Sequence, residues 1–143
     1  MDASEEQDPF DLRRFVEAQE PVIERVRAEL RRGRKTSHWM WFVFPQMRGL
    51  GHSAMAEKFG IGSREEAEAY SKHPVLGARL EECTRLVNQV EGRTAAEIFG
   101  YPDDLKFRSS MSLFALVSGN AIFREALEKY FDGEPDDSTA NLG

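Results

Sequence analysis

Apolar residues recur three and four positions apart along most of this chain, which is the repeat of an α-helix with one buried face. Leu12, Phe15 and Val16 share one side of a first helical segment, and Val22, Val26 and Leu30 extend the stripe at spacing four. Pro21 interrupts it, because proline lacks an amide donor and crowds the preceding turn, so the helix is expected to kink or restart there. Gly33 is the expected stop. The clearest amphipathic helix carries Leu76, Leu80, Cys83, Val87 and Val90, with Pro74 as its first residue. Leu105, Met111, Phe114 and Val117 mark another helix from about Pro102, and Ile122, Phe123, Leu127, Tyr130 and Phe131 mark the last.

Polar punctuation divides the remainder. Ser63 with Glu66, and Thr94 with Glu97, have the spacing of a capping box, in which a hydroxyl and a carboxylate each satisfy an orphan amide at a helix start. Gly60 and Gly100 close the short helices that precede them, the first being Ala54 to Phe59. The segment His38 to Phe44 (HWMWFVF) has the bulky composition of a strand. No second strand is available to pair with it, and an unpaired buried strand would leave its backbone groups unsatisfied. A short buried helix is therefore expected, with Ser37 as N-cap and Pro45 at its end. Of its four aromatic residues, Trp39 and Phe42 are expected in the core. The fold expected is all-α, an irregular array of about seven or eight short helices. It forms a single domain over residues 10–133, with loose tails at 1–9 and 134–143.

Composition narrows the function class. The 143 residues carry a net charge of −6, which disfavours general nucleic-acid binding, since that depends on neutralising phosphates. The charge is uneven, however: RVRAELRRGRK (25–35) contains six basic residues and one acid, Glu29. Such a stretch suits either an anionic ligand or the negative end of a helix dipole. No apolar run approaches the ~20 residues of a membrane span, and the acidic N-terminus is unlike a signal peptide. A single cysteine, Cys83, allows no intrachain disulfide and suits a reducing cytoplasm. On the apolar stripe of its helix it reads as a core thiol.

The run SHWMWFVFPQMRGLGHS (37–53), followed by HPVLGARL and KFRSSMSLF, resembles a widespread bacterial family of small all-helical domains of unknown function. Some members carry the label calpastatin-like, although nothing here looks like the disordered calpain inhibitor. The resemblance extends from about Phe10 to Thr139. It implies the helical fold and no assigned activity. The family usually continues into a more hydrophobic C-terminal helix, whereas this chain stops at DDSTANLG, so that last helix is expected to be missing or frayed.

Candidate chemistry concentrates in the tryptophan-rich block and in one later helix. Aromatic residues offer a flat apolar wall and Gln46 can read polar edges. Arg48 can hold a carboxylate or phosphate bidentately, and Gly49 and Gly51 admit a close backbone approach. His38, Trp41, Gln46, Arg48 and His52 are the candidates from the block; Lys106, Ser109 and Ser110 are those from the helix. Gln46, Arg48 and His52 are expected to converge with Lys106 and one of Ser109 or Ser110 on one concavity that binds a small anionic metabolite, such as a nucleotide or an ADP-ribose-like compound, with hydrolysis as a further option. The alternative is a protein-interaction module anchored on exposed Trp and Arg side chains. His38 and His52 lack the spacing and third ligand of a metal site, so no metal is expected. His73 reads as a helix-start residue. No phosphate-binding glycine loop, dinucleotide fingerprint or catalytic triad is present, and no cofactor is implied.

Overall fold

The computed structural model describes residues 8–50 and 53–136. Among them nine helices form: α1 (Arg13–Gln19), α2 (Ile23–Arg31), α3 (Met40–Val43), α4 (Ala54–Phe59), α5 (Arg64–Lys72), α6 (Leu76–Asn88), α7 (Ala95–Phe99), α8 (Asp103–Val117) and α9 (Ile122–Phe131). The all-α expectation holds. The only extended pairing among the described residues is an isolated parallel bridge between Met47 and Ile61. No described helix is long and apolar enough to cross a membrane.

Helices α6 and α8 are central: α5 packs against both, α9 packs against both, α2 lies on α6, α7 lies on α8, and α3 touches α1, α4 and α8. Leu76, Leu80, Cys83 and Val87 are all buried on α6, as its stripe predicts. The core is unusually aromatic. Phe107 meets Phe44 edge-on at 5.0 Å and stacks on Phe99 at 4.6 Å. A second run links Phe15, Tyr70, Phe114 and Phe123. Such pairs contribute about 0.5–1.5 kcal/mol each beyond area burial.

Local chemistry explains the boundaries. Pro21 falls between α1 and α2, and Gly33 adopts φ +70° just beyond α2. At α7 both halves of the capping box form. At α5 only one does: Ser63 accepts from the Glu66 amide, but the Glu66 carboxylate turns to the Gly62 amide (2.9 Å) and to Arg14 (2.8 Å). Helix α6 begins at Leu76, two residues after Pro74, because the His73 ring nitrogen Nδ1 accepts from the Val75 and Leu76 amides. His73 is thus a helix-start residue. Within α8, Leu105 is 46% exposed and Phe107 takes the buried position instead.

The aromatic block forms a shorter helix than its composition predicts, and Ser37 does not cap it. The Ser37 hydroxyl donates to Glu29 (2.6 Å), and Trp39 occupies the N-cap. A four-residue helix leaves most of its carbonyls without intrahelical partners. The carbonyl of Phe42 is met from outside, by Gln19 Nε2 at 2.6 Å and the Tyr70 hydroxyl at 3.4 Å. Trp39 and Phe42 are buried, as expected, and so is Phe44. At the other end of the chain, residues 134–136 are tied to α8 rather than loose. Arg108 donates to the carbonyls of Glu134 and Pro135, Ser109 donates to the Asp136 carboxylate (2.7 Å), and the Asp136 amide donates to Ser112 (2.8 Å). The expectation of a missing or frayed last helix concerns residues 137–143, which lie outside the described residues.

Candidate functional site

Glu29 organises the segment that leads into the aromatic block. It is the one acid of the basic stretch, it lies on α2, and it is 1% exposed. Its carboxylate accepts from the amides of Thr36 (2.8 Å) and Ser37 (3.1 Å), from the Ser37 hydroxyl, and from Trp39 Nε1 (3.0 Å). Burial pushes this carboxyl upward, but the bonds from Ser37, Thr36 and Trp39 outweigh it and hold the group down at about 2. Four donors on one buried carboxylate fix the path of residues 36–39 and seat the Trp39 ring in the core.

Two lysines then meet the two tryptophans. Lys35, whose side chain is 7% exposed, lies 5.2 Å from the Trp39 ring and forms an ion pair with Asp103 at 2.8 Å. Lys106, one turn along α8, lies 4.6 Å from the Trp41 ring and reaches the other oxygen of Asp103 at 3.4 Å. One carboxylate therefore serves two ammonium groups, and the trio carries one surplus positive charge. Asp104, next in sequence, keeps one carboxylate oxygen buried with no hydrogen-bond partner among the described residues.

Lys106 lines a narrow cleft, with room for about 10 Å³, together with Met40, Trp41, Phe44, Gln46, Ala56, Phe59 and Gly60. Helix α3 contributes Met40 and Trp41 to the lining, and α4 contributes Ala56 and Phe59. The Met47–Ile61 bridge holds the two sides in register, through Ile61 N–H to the Gln46 carbonyl (2.9 Å) and Arg48 N–H to the Ile61 carbonyl (2.8 Å). The approach is close: a β-carbon on Gly60 would sit 2.7 Å from the Arg48 α-carbon and 2.8 Å from the Ala56 carbonyl oxygen.

Of the residues singled out in the sequence, Trp41, Gln46 and Lys106 meet in this cleft. Arg48 does not enter it. Its guanidinium donates to the Gly60 carbonyl (3.2 Å) and lines a separate, open concavity of about 500 Å³ with Arg14, Lys58 and Glu66. Arg48 and Lys106 thus lie on two sides of the Phe59–Gly60 ridge, not in one concavity. His38 is exposed beside the buried Trp39 and is not among the cleft-lining residues. Ser109 is engaged with Asp136, and Ser110 is fully buried with its hydroxyl unpartnered, so neither reaches the cleft. His52 and Gly51 lie outside the described residues. Among the described residues, no group of three His, Cys, Asp or Glu side chains is placed to hold a metal.

The basic stretch divides. Arg27 is paired with Glu24 and Glu82, and Lys35 with Asp103, while Arg25, Arg31, Arg32 and Arg34 are exposed. Glu29 and Lys35, two members of that stretch, were missed as site-building residues. Glu29 alone had a readable signal, since it sits three residues after Val26, on the buried stripe of α2.

No curated protein matches the chain. It is similar in structure to the conserved hypothetical protein Rv1873 from Mycobacterium tuberculosis, with 60% identity and a TM-score of 0.93, covering 94% of this chain and 97% of that one. The sequence profile of a family described as "Protein of unknown function (DUF1810)" matches residues 9–142. A match over nearly the whole length, together with that structural likeness, fixes the family: the chain belongs to DUF1810, whose function is unknown.

Proposed function

We propose that this protein binds a small anionic metabolite, of the nucleotide or ADP-ribose-like kind, with one anionic group at Lys106. The observation that carries the reading is the shared counter-ion. Lys35 and Lys106 both rest on Asp103, and the buried Lys35 takes the shorter contact, 2.8 Å against 3.4 Å. Lys106 is left as the under-neutralised cation, at the edge of a cleft with an indole face and a primary amide. A polar edge read by Gln46 and an anion on Lys106 use these groups, while the Trp41 ring holds the Lys106 ammonium in place. The cleft has room for only about 10 Å³, far below the usual 300–1,000 Å³ of small-molecule pockets, so the ligand lies across its mouth with an anionic group on Lys106. A cytoplasmic setting is part of this reading, and no catalytic group is assigned.

The competing reading, a docking surface of exposed Trp and Arg, has less support. Trp39 is 1% exposed and Trp41 is half-buried beneath Lys106.

A thermal-shift series with AMP, ADP and ADP-ribose tests the proposal, because a ligand specific to the native state raises Tm. At least one should do so for the wild type, and Lys106→Ala should abolish the shift without lowering the Tm of the free protein. No shift with any of the three, or an undiminished shift in Lys106→Ala, would overturn it.

A further inference from the structure

We infer that Arg48 is a second anion anchor of the same site, so that the ligand carries two anionic groups, as nucleoside diphosphates and diphosphate-linked nucleosides do. This rests on the cleft reading above and adds the chemical class of the ligand.

The backbone around the ridge supplies the first argument. Gln46 and Arg48 flank Met47, whose backbone pairs with Ile61. Gln46 precedes the bridge and Arg48 opens the turn that follows it. Met47 packs against the core between them, with Gln46 lining the cleft and Arg48 the neighbouring concavity. Gly60 connects their surroundings: it lines the cleft beside Gln46 and Lys106, and its carbonyl receives Arg48. The absence of a side chain at Gly60 lets the Arg48 backbone pack directly against it, since a Cβ there would sit 2.7 Å from the Arg48 α-carbon. A ligand seated on Lys106 and Gln46 therefore meets Arg48 next as it leaves the cleft.

Unused donor capacity is the second argument. A guanidinium carries five N–H donors, and Arg48 spends one, on the Gly60 carbonyl. It is exposed and forms no ion pair among the described residues. The nearest acid is already committed: Glu66 gives one oxygen to Arg14 (2.8 Å) and the other to the Gly62 amide (2.9 Å). Asp11, the other acid of this concavity, meets Arg14 through its backbone carbonyl. Arg14 itself is saturated, with all five donors engaged by the carbonyls of Phe10, Asp11, Lys58 and Gly60 and by Glu66. Arg48 is thus the guanidinium on this face with its planar fork still open, the geometry that receives a phosphate bidentately.

Isothermal titration of the full chain with AMP, ADP and ADP-ribose tests this, using wild type, Arg48→Ala, Arg48→Lys and Lys106→Ala. ADP and ADP-ribose should bind more tightly than AMP. Arg48→Ala should cost the two diphosphates about tenfold more than it costs AMP, the size of one charge-assisted contact. Arg48→Lys, which keeps the charge and loses the fork, should recover only part of that. Circular dichroism and Tm verify that the Arg48 variants fold. If AMP and ADP bind wild type equally, or Arg48→Ala weakens all three ligands by the same factor, the second anchor is wrong and the cleft reading stands. If none of the three binds wild type, or Lys106→Ala binds like wild type, the cleft reading fails and this inference falls with it.

Discussion

Replacing Glu29 by glutamine isolates the charge of the carboxylate that fixes the path into the aromatic block. The amide is nearly isosteric, so one oxygen can still accept from the Thr36 and Ser37 amides and from Trp39 Nε1, while its NH₂ faces the Ser37 hydroxyl. What is lost is ionisation. The carboxyl moves from an ordinary value of 4.5 to about 2 in the folded protein. At about 1.36 kcal/mol per pKa unit, that is worth about 3 kcal/mol at neutral pH. The folded value lies below the unfolded one, so this stability is present above about pH 4.5 and is lost as the pH falls toward 2. By linkage, about 1.4 kcal/mol of it should remain at pH 3. Urea unfolding followed by tryptophan fluorescence, run on wild type and Glu29→Gln from pH 7 to pH 3, measures it. Other carboxylates titrate in both proteins and cancel in the difference. The wild-type advantage should shrink by about 2 kcal/mol across that range. A gap that stays constant with pH would mean that Glu29 is not held ionised by its four donors.

Other outcomes follow from burial and close approach. Trp39→Ala removes a fully buried indole and should destabilise by about 3–5 kcal/mol; a loss under about 1 kcal/mol in the same denaturation assay would contradict its place in the core. Gly60→Ala should cost about 1–3 kcal/mol, since the added carbon meets two backbone atoms that cannot rotate away; an unchanged midpoint would show that the ridge yields freely. Cys83 is buried, and burial pushes its thiol up to about 12. Its modification by a disulfide reagent should track global unfolding across a urea series, and rapid labelling of native protein would count against it.

Much of the fold was legible because its cues are local. Pro21, the Thr94–Glu97 box and the stripe from Leu76 to Val87 each act within a few residues, and each behaves as its chemistry requires. Helix α8 was misread at Leu105 because four neighbours, α3, α5, α7 and α9, cover it on several sides. A helix buried on several sides shows no single stripe to count. Ser37 was taken for a cap because hydroxyls so often are, but the buried carboxylate of Glu29 is a stronger acceptor for it than water. The candidate site was half legible. Trp41, Gln46 and Lys106 do meet, whereas Asp103 joining Lys35 to Lys106 is a contact across 68 positions that no spacing encodes. The serine pair looked chemical because Lys106 stands one turn away, yet one hydroxyl is turned to Asp136 and the other is sealed in the core.

The saturated guanidinium of Arg14 has a mechanical meaning for the cleft. Helix α4, which forms one wall, buries a single large side chain of its own, Phe59. What fastens the end of that wall is the grip of Arg14 on the carbonyls of Lys58 and Gly60, braced by Glu66 and by the turn at Phe10 and Asp11. The jaw is therefore latched twice, by backbone oxygens on one planar cation and by Phe59 against Phe15 and Phe42. Releasing Arg14 would leave the wall held by the rings around Phe59, so the cation and the aromatic core each secure it. Lysine at position 14 would keep the charge, but three donors on a flexible stem cannot hold five acceptors at once.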